Sequence, residues 1–129
     1  MRRLINLILL FSCVTSFILI NSCERDFLIP EEIIIPDTVK FSADIIPIFN
    51  QSCNVSKCHD RGGNPPDLTV EKAYLNLNLY GLIDITNAEL SGLYLKLTAE
   101  KKPMPPDGKL PDGEIELILE WIRQGALDN

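Results

Sequence analysis

Cys53-Asn54-Val55-Ser56-Lys57-Cys58-His59 places two thiols and an imidazole within seven residues. His59 is the only histidine of the 129 residues. Any fold of this chain has to present these groups at one place, so the rest of the sequence is read around them. A structural zinc site takes four ligands, usually Cys and His. The stretch supplies three, and only a carboxylate such as Asp60 is at hand to complete the set. A disulfide between Cys53 and Cys58 is the stronger rival, but it leaves His59 without a purpose. A catalytic Cys-His pair is disfavoured, because nucleophile and base are normally brought together by the fold and are rarely neighbours in sequence.

A thiol followed directly by a histidine is also the signature of covalent haem attachment, usually C-x-x-C-H. The thiols add across the haem vinyl groups, and the adjacent imidazole becomes the proximal iron ligand. Here four residues, not two, separate the cysteines. Downstream lies Lys102-Pro103-Met104-Pro105-Pro106, and Met104 is the only methionine besides Met1. Its flanking prolines restrict φ and stiffen the loop. A thioether is a soft iron ligand, and His/Met ligation raises the reduction potential. A lone Met is more often a filler of core gaps, yet an apolar filler makes little sense among Lys101, Lys102, Asp107 and Lys109.

Helical periodicity surrounds both stretches, and no β-pattern of any length occurs. Ser42 or Asp44 suits the N-cap of a first helix carrying Ile45, Ile46, Ile48 and Phe49. With Asp44 as cap, Pro47 takes the third helical position, where no N–H is needed. Residues 60–67 are turn-forming throughout. Thr69 is the expected cap of a second helix over 70–79, with Ala73, Tyr74 and Leu77 on its buried face and Gly81 at its end. Asn87 is the expected cap of a third over 88–99, with Leu90, Leu93, Tyr94 and Leu97 on one side. Tyr94 reads as core more readily than as a haem contact. Asp112 should cap a last helix in which Ile115, Ile118, Leu119 and Ile122 form an i, i+3, i+4, i+7 stripe, with Gly125 at C′. Trp121 beside that stripe should bring the last helix onto the first.

Residues 41–127 resemble a cytochrome c domain. The resemblance rests on Asp44-Ile45-Ile46-Pro47-Ile48-Phe49, Cys58-His59, Ser91-Gly92-Leu93-Tyr94, Met104-Pro105-Pro106, Trp121-Ile122 and Gly125-Ala126. The wider cysteine spacing resembles a variant in single-haem domains of secreted bacterial lipoproteins. The resemblance implies an all-α fold of about four helices around one haem c, with the first and last helices in contact. It makes Cys53 and Cys58 the thioether links, and His59 and Met104 the axial ligands.

The chain begins with Arg2-Arg3 and an apolar run over 4–20, followed by Asn21-Ser22-Cys23. A positive start, an apolar stretch and small residues before a cleavage point read as a secretory signal. Cys23 in that place resembles a bacterial lipoprotein cleavage site, so residues 1–22 are expected to be a signal peptide and Cys23 the lipidated residue. An uncleaved membrane helix is the other reading, at the short limit for spanning. Either places the domain outside the cytoplasm, as a periplasmic or outer-membrane protein of the cell envelope. Residues 23–41, with Pro30 and Pro36, are read as the tether and 42–129 as the domain.

Twelve basic side chains face eighteen acidic ones, for a net charge of −6. Removing residues 1–22 takes away two arginines and no acid. This balance excludes nucleic acid as a partner. Lys96, Lys101, Lys102 and Lys109 nevertheless gather around Met104, either as a rim that steers an acidic redox partner or as a solvated loop. The expectation is a membrane-tethered single-haem electron carrier and not an enzyme. Peroxidase-type activity would need Met104 to leave the iron. The alternative is a haem-free, disulfide-bearing helical lipoprotein domain acting as an interaction or assembly subunit.

Overall fold

The computed structural model describes residues 35–129, which are helical, with no strand among them. The expected signal segment, the lipidation residue Cys23 and most of the tether lie outside the described residues. Four α-helices follow in order: α1 (Ile46–Ser52), α2 (Ala73–Leu79), α3 (Gly92–Leu97) and α4 (Asp112–Arg123). A π-helical turn, Phe41–Ile45, leads into α1, and a 3₁₀ turn, Ala88–Leu90, precedes α3. No helix among the described residues is long and apolar enough to cross a membrane.

α4 is the longest of these four helices, and its apolar stripe is its buried face. Ile115, Ile118, Leu119 and Ile122 are all buried, and Trp121 is fully so. The indole stacks on Phe41 with ring centroids 5.0 Å apart. The first and last helical segments therefore meet, as Trp121 suggested. Phe41 also touches Phe49 and Tyr74 edge-on. One aromatic ring thus joins α1, α2 and α4, and offset or edge contacts of this kind add to plain area burial.

The first helical segment starts earlier than expected. Its N-cap is Lys40, and Asp44 lies within the first turn, where its carboxylate accepts the Lys40 N–H at 2.7 Å. The cap comes from far along the chain. The Asn129 side-chain oxygen accepts the Phe41 N–H at 2.8 Å, and the Asn129 carbonyl accepts the Ser42 N–H at 2.9 Å. A π turn sits immediately before Pro47, whose ring would crowd the carbonyl four residues back in a regular helix.

Packing also extends into the end of the stretch read as tether. Val39 and Phe41 are buried, and Ile35 packs against the core. Gln124, the C-cap residue of α4, holds this stretch by accepting the Val39 N–H at 2.8 Å and donating to the Asp37 carbonyl.

Helices α2 and α4 end alike. Gly81 (φ +62) and Gly125 (φ +97) take the left-handed conformation at C′. In each case the C′ N–H returns to C2 and the next N–H to C3: Gly81 to Asn78 and Leu82 to Leu77, then Gly125 to Ile122 and Ala126 to Trp121. This is the Schellman closure, which satisfies carbonyls a helix end leaves free.

The expected helix over 88–99 is broken in two at Ser91. This residue is buried, and its hydroxyl accepts the Asp84 N–H at 2.8 Å and reaches back to the Asp84 carbonyl. The break turns Leu90 outward, 60% exposed, while Leu93 and Leu97 remain in the core. Thr69 likewise does not cap α2 with its side chain. Its hydroxyl donates to Asp67 at 2.6 Å, and the regular helix begins only at Ala73. Asp112 lies in the first turn of α4 rather than at its cap, which is Pro111, and pairs with Lys109.

Candidate functional site

The end of α1 delivers Cys53 into the core. Its thiol is buried, and that burial pushes it up to about 11, with Glu114 and Cys58 nearby adding to the rise. Glu114, half-buried in the first turn of α4, is itself raised by burial. After Cys53 the chain folds back on itself. The Cys58 N–H reaches the Val55 carbonyl, and the His59 N–H reaches the Cys53 carbonyl at 3.1 Å. The residues between the thiols thus form a closed loop that brings the histidine back to the first cysteine. The two sulfurs are both free thiols, not bonded to each other.

His59 is held by its ring. Nδ1 lies 3.0 Å from the Pro66 carbonyl and 3.1 Å from the Asn64 carbonyl. Carbonyls only accept, so Nδ1 is the donor to both, and in a neutral ring Nε2 is then the unprotonated nitrogen. Among the described residues Nε2 makes no hydrogen bond. A histidine bound through Nδ1–H to backbone carbonyls, with the other nitrogen free, has the outer-shell arrangement typical of metal-ligating imidazoles.

Met104 is brought to the same place by α3. Its N–H donates to the Lys96 carbonyl at 2.9 Å, and its side chain is 38% exposed. Cys53, His59, Pro65 and Met104 together line two adjoining hollows of about 230 Å³ and about 200 Å³. Cys58, Val55, Pro105 and Pro106 complete the first. Leu68, Leu77, Leu82, Leu93 and Leu97 make the second almost wholly apolar. All four residues singled out in the sequence as cofactor-binding are therefore in one cleft.

Other features of this cleft were not singled out. Pro65 and Pro66 read as mere turn residues, yet they wall the cleft, and the Pro66 carbonyl orients the imidazole. Gly92 lets α3 sit tightly on Leu82, whose side chain a Cβ there would meet at 3.1 Å. Tyr94, by contrast, packs partly buried on the core and does not line the cleft. Among the described residues no three of His, Cys, Asp and Glu converge as a metal cage. Of the lysines near Met104, Lys96 lines the cleft and Lys101 and Lys102 are exposed. Lys109 is paired with Asp112 at 2.6 Å. No family model, curated protein or solved structure matches this chain.

Proposed function

We propose that this chain is a membrane-tethered, single-haem c-type cytochrome that carries electrons. The observation that carries the reading is the shared cleft: two thiols, an imidazole with Nε2 free and a thioether all line one largely apolar hollow. That donor set suits a haem iron, and apolar walls suit a porphyrin face. Cys53 and Cys58 would hold the group covalently, with His59 and Met104 as its axial ligands. When bound, the haem supplies the one-electron couple of its iron.

The chain's own residues do the remainder. The Asn64 and Pro66 carbonyls orient His59, and the leucines of α2 and α3 exclude water from one side of the cleft. With His59 and Met104 both given to the iron, the group would offer a one-electron couple and no place for a substrate, so the reading is a carrier and not an enzyme. The cytochrome c-like fold, the signal peptide over 1–22, the lipid anchor at Cys23 and a periplasmic or outer-membrane location belong to the same proposal. So do the unidentified redox partner and the exclusion of nucleic acid.

The test is direct. The chain is expressed with a haem-maturation system, exported and extracted with acid-acetone. Sharp reduced bands that survive extraction support the carrier, and a colourless protein overturns it. The second reading, a haem-free interaction subunit, draws on Leu75 and Leu79, which stand 59% and 72% exposed one turn apart on α2. A colourless but folded protein favours it.

A further inference from the structure

One residue outside the ligand stretch grips three consecutive residues inside it. The Asn64 side-chain amide donates to the Lys57 carbonyl at 3.0 Å. Its main-chain N–H donates to the Cys58 carbonyl at 2.6 Å. Its own carbonyl accepts from His59 Nδ1 at 3.1 Å. Asn64 is exposed at the mouth of the cleft, so burial does not explain these three bonds.

Two backbone features show what the grip works against. Lys57 lies at φ +70, a left-handed conformation that a non-glycine residue adopts only when its surroundings insist. Gly63, just before Asn64, has no room for a Cβ, which would collide with the Cys58 carbonyl and the Asp60 side chain. The chain passes this close to the second cysteine in order to bring Asn64 onto it. With four residues between the thiols, the loop is longer than a two-residue bridge and has more conformations to lose. An external clamp removes that freedom.

We infer that Asn64 is the positioning residue of the site, clamping the Lys57–Cys58–His59 backbone and fixing His59 as the Nδ1–H tautomer with Nε2 toward the cleft. The Pro66 carbonyl assists but touches only the ring. The role toward iron rests on the haem reading, whereas the tautomer does not. Replacing the Asn64 amide by a carboxylate of the same size removes the donor to Lys57 and leaves two oxygens facing each other. The loop then relaxes, the Asn64 carbonyl is no longer held in place, and the ring keeps only the Pro66 carbonyl as a fixed partner.

The experiment uses ¹⁵N-histidine NMR on the full-length, haem-free chain, above the pH at which histidine titrates, where the single imidazole gives one pair of nitrogen signals. The expected result is a predominantly Nδ1–H ring in the parent. In Asn64→Asp the Nδ1–H to Nε2–H ratio should fall at least twofold, with the helical circular dichroism unchanged. A parent ring that is mainly Nε2–H overturns the inference whatever the variant does, and so does an unchanged ratio in a folded Asn64→Asp. Where covalent haem is obtained, Asn64→Ala, which loosens the clamp without adding a charge, should also raise the reduction potential, since looser Nδ1–H donation makes the imidazole a weaker donor to iron. Failure of the parent to take haem would sink the proposed function and leave the tautomer result standing.

Discussion

Trp121 and Phe41 stack with their centroids 5.0 Å apart and their planes 30° from parallel. This contact joins the last helix to the turn that opens the first. Both rings are buried, and the indole N–H donates to the Leu127 carbonyl at 2.9 Å. Truncating Trp121 to Ala leaves a large cavity and should cost about 3–5 kcal/mol. Trp121→Phe fills most of the space but strands the Leu127 carbonyl, and its cost should be smaller. Denaturant unfolding followed by far-ultraviolet dichroism checks both, and equal losses would contradict the stacking account.

Ser91 should behave as a structural polar residue. It is almost completely buried, and its hydroxyl serves both backbone groups of Asp84. Ser91→Ala leaves the Asp84 N–H without its partner and should cost about 1–3 kcal/mol. A neutral substitution, measured by the same unfolding, would mean that the bond does not hold the break between the 3₁₀ turn and α3.

The two thiols should differ in the haem-free chain. Cys53 is buried and its thiol is pushed up to about 11, while Cys58 is half-buried. Near pH 8 iodoacetamide should label Cys58 well before Cys53, as peptide mass mapping will show. The raised value also has a stability consequence. The folded state keeps the Cys53 proton longer than the unfolded chain, whose ordinary value is 9.0. Its contribution is therefore complete below about pH 9 and is lost as pH climbs through about 11, a swing on the order of 2–3 kcal/mol. Cys53→Ala should remove that part of the alkaline slope.

Met104 is partly exposed, so Met104→Ala should change the stability of the haem-free chain by less than about 1 kcal/mol. In haem-loaded protein the same substitution should lower the reduction potential and let added imidazole or cyanide bind. An unchanged potential would reject Met104 as the sixth ligand.

The charge around the cleft can be told from the charge of the whole by the sign of a salt effect. The chain is net negative, but Lys96 lines the cleft with Met104, and the exposed Lys101 and Lys102 shortly precede Met104 in sequence. Oxidation of the reduced carrier by ferricyanide should slow as salt is raised if these lysines govern encounter. It should quicken if the net charge does. Lys101→Glu with Lys102→Glu should reverse a slowing.

Local signals were legible wherever a residue's job is done by its neighbours in sequence. The Ile115–Ile118–Leu119–Ile122 stripe became the buried face of α4, and Gly81 and Gly125 close their helices, because periodicity and left-handed caps are short-range physics. The four candidate site residues were also readable as residue types whose chemistry is rare and mutually consistent. The sequence by itself therefore determined the helical character of the described residues and picked out Cys53, Cys58, His59 and Met104, which line one cleft.

Tertiary structure decided what depends on groups far apart in the chain. Asn129 caps the first helical segment from 88 residues away, so Asp44 is freed to lie inside the turn. Ser91 is drawn to Asp84 and breaks a helix that periodicity alone would continue. The imidazole's orientation comes from two carbonyls in a turn whose sequence marks it as a turn but does not say which carbonyls face the ring. In each case a backbone donor or acceptor had to find its partner, and only the folded chain shows where that partner is.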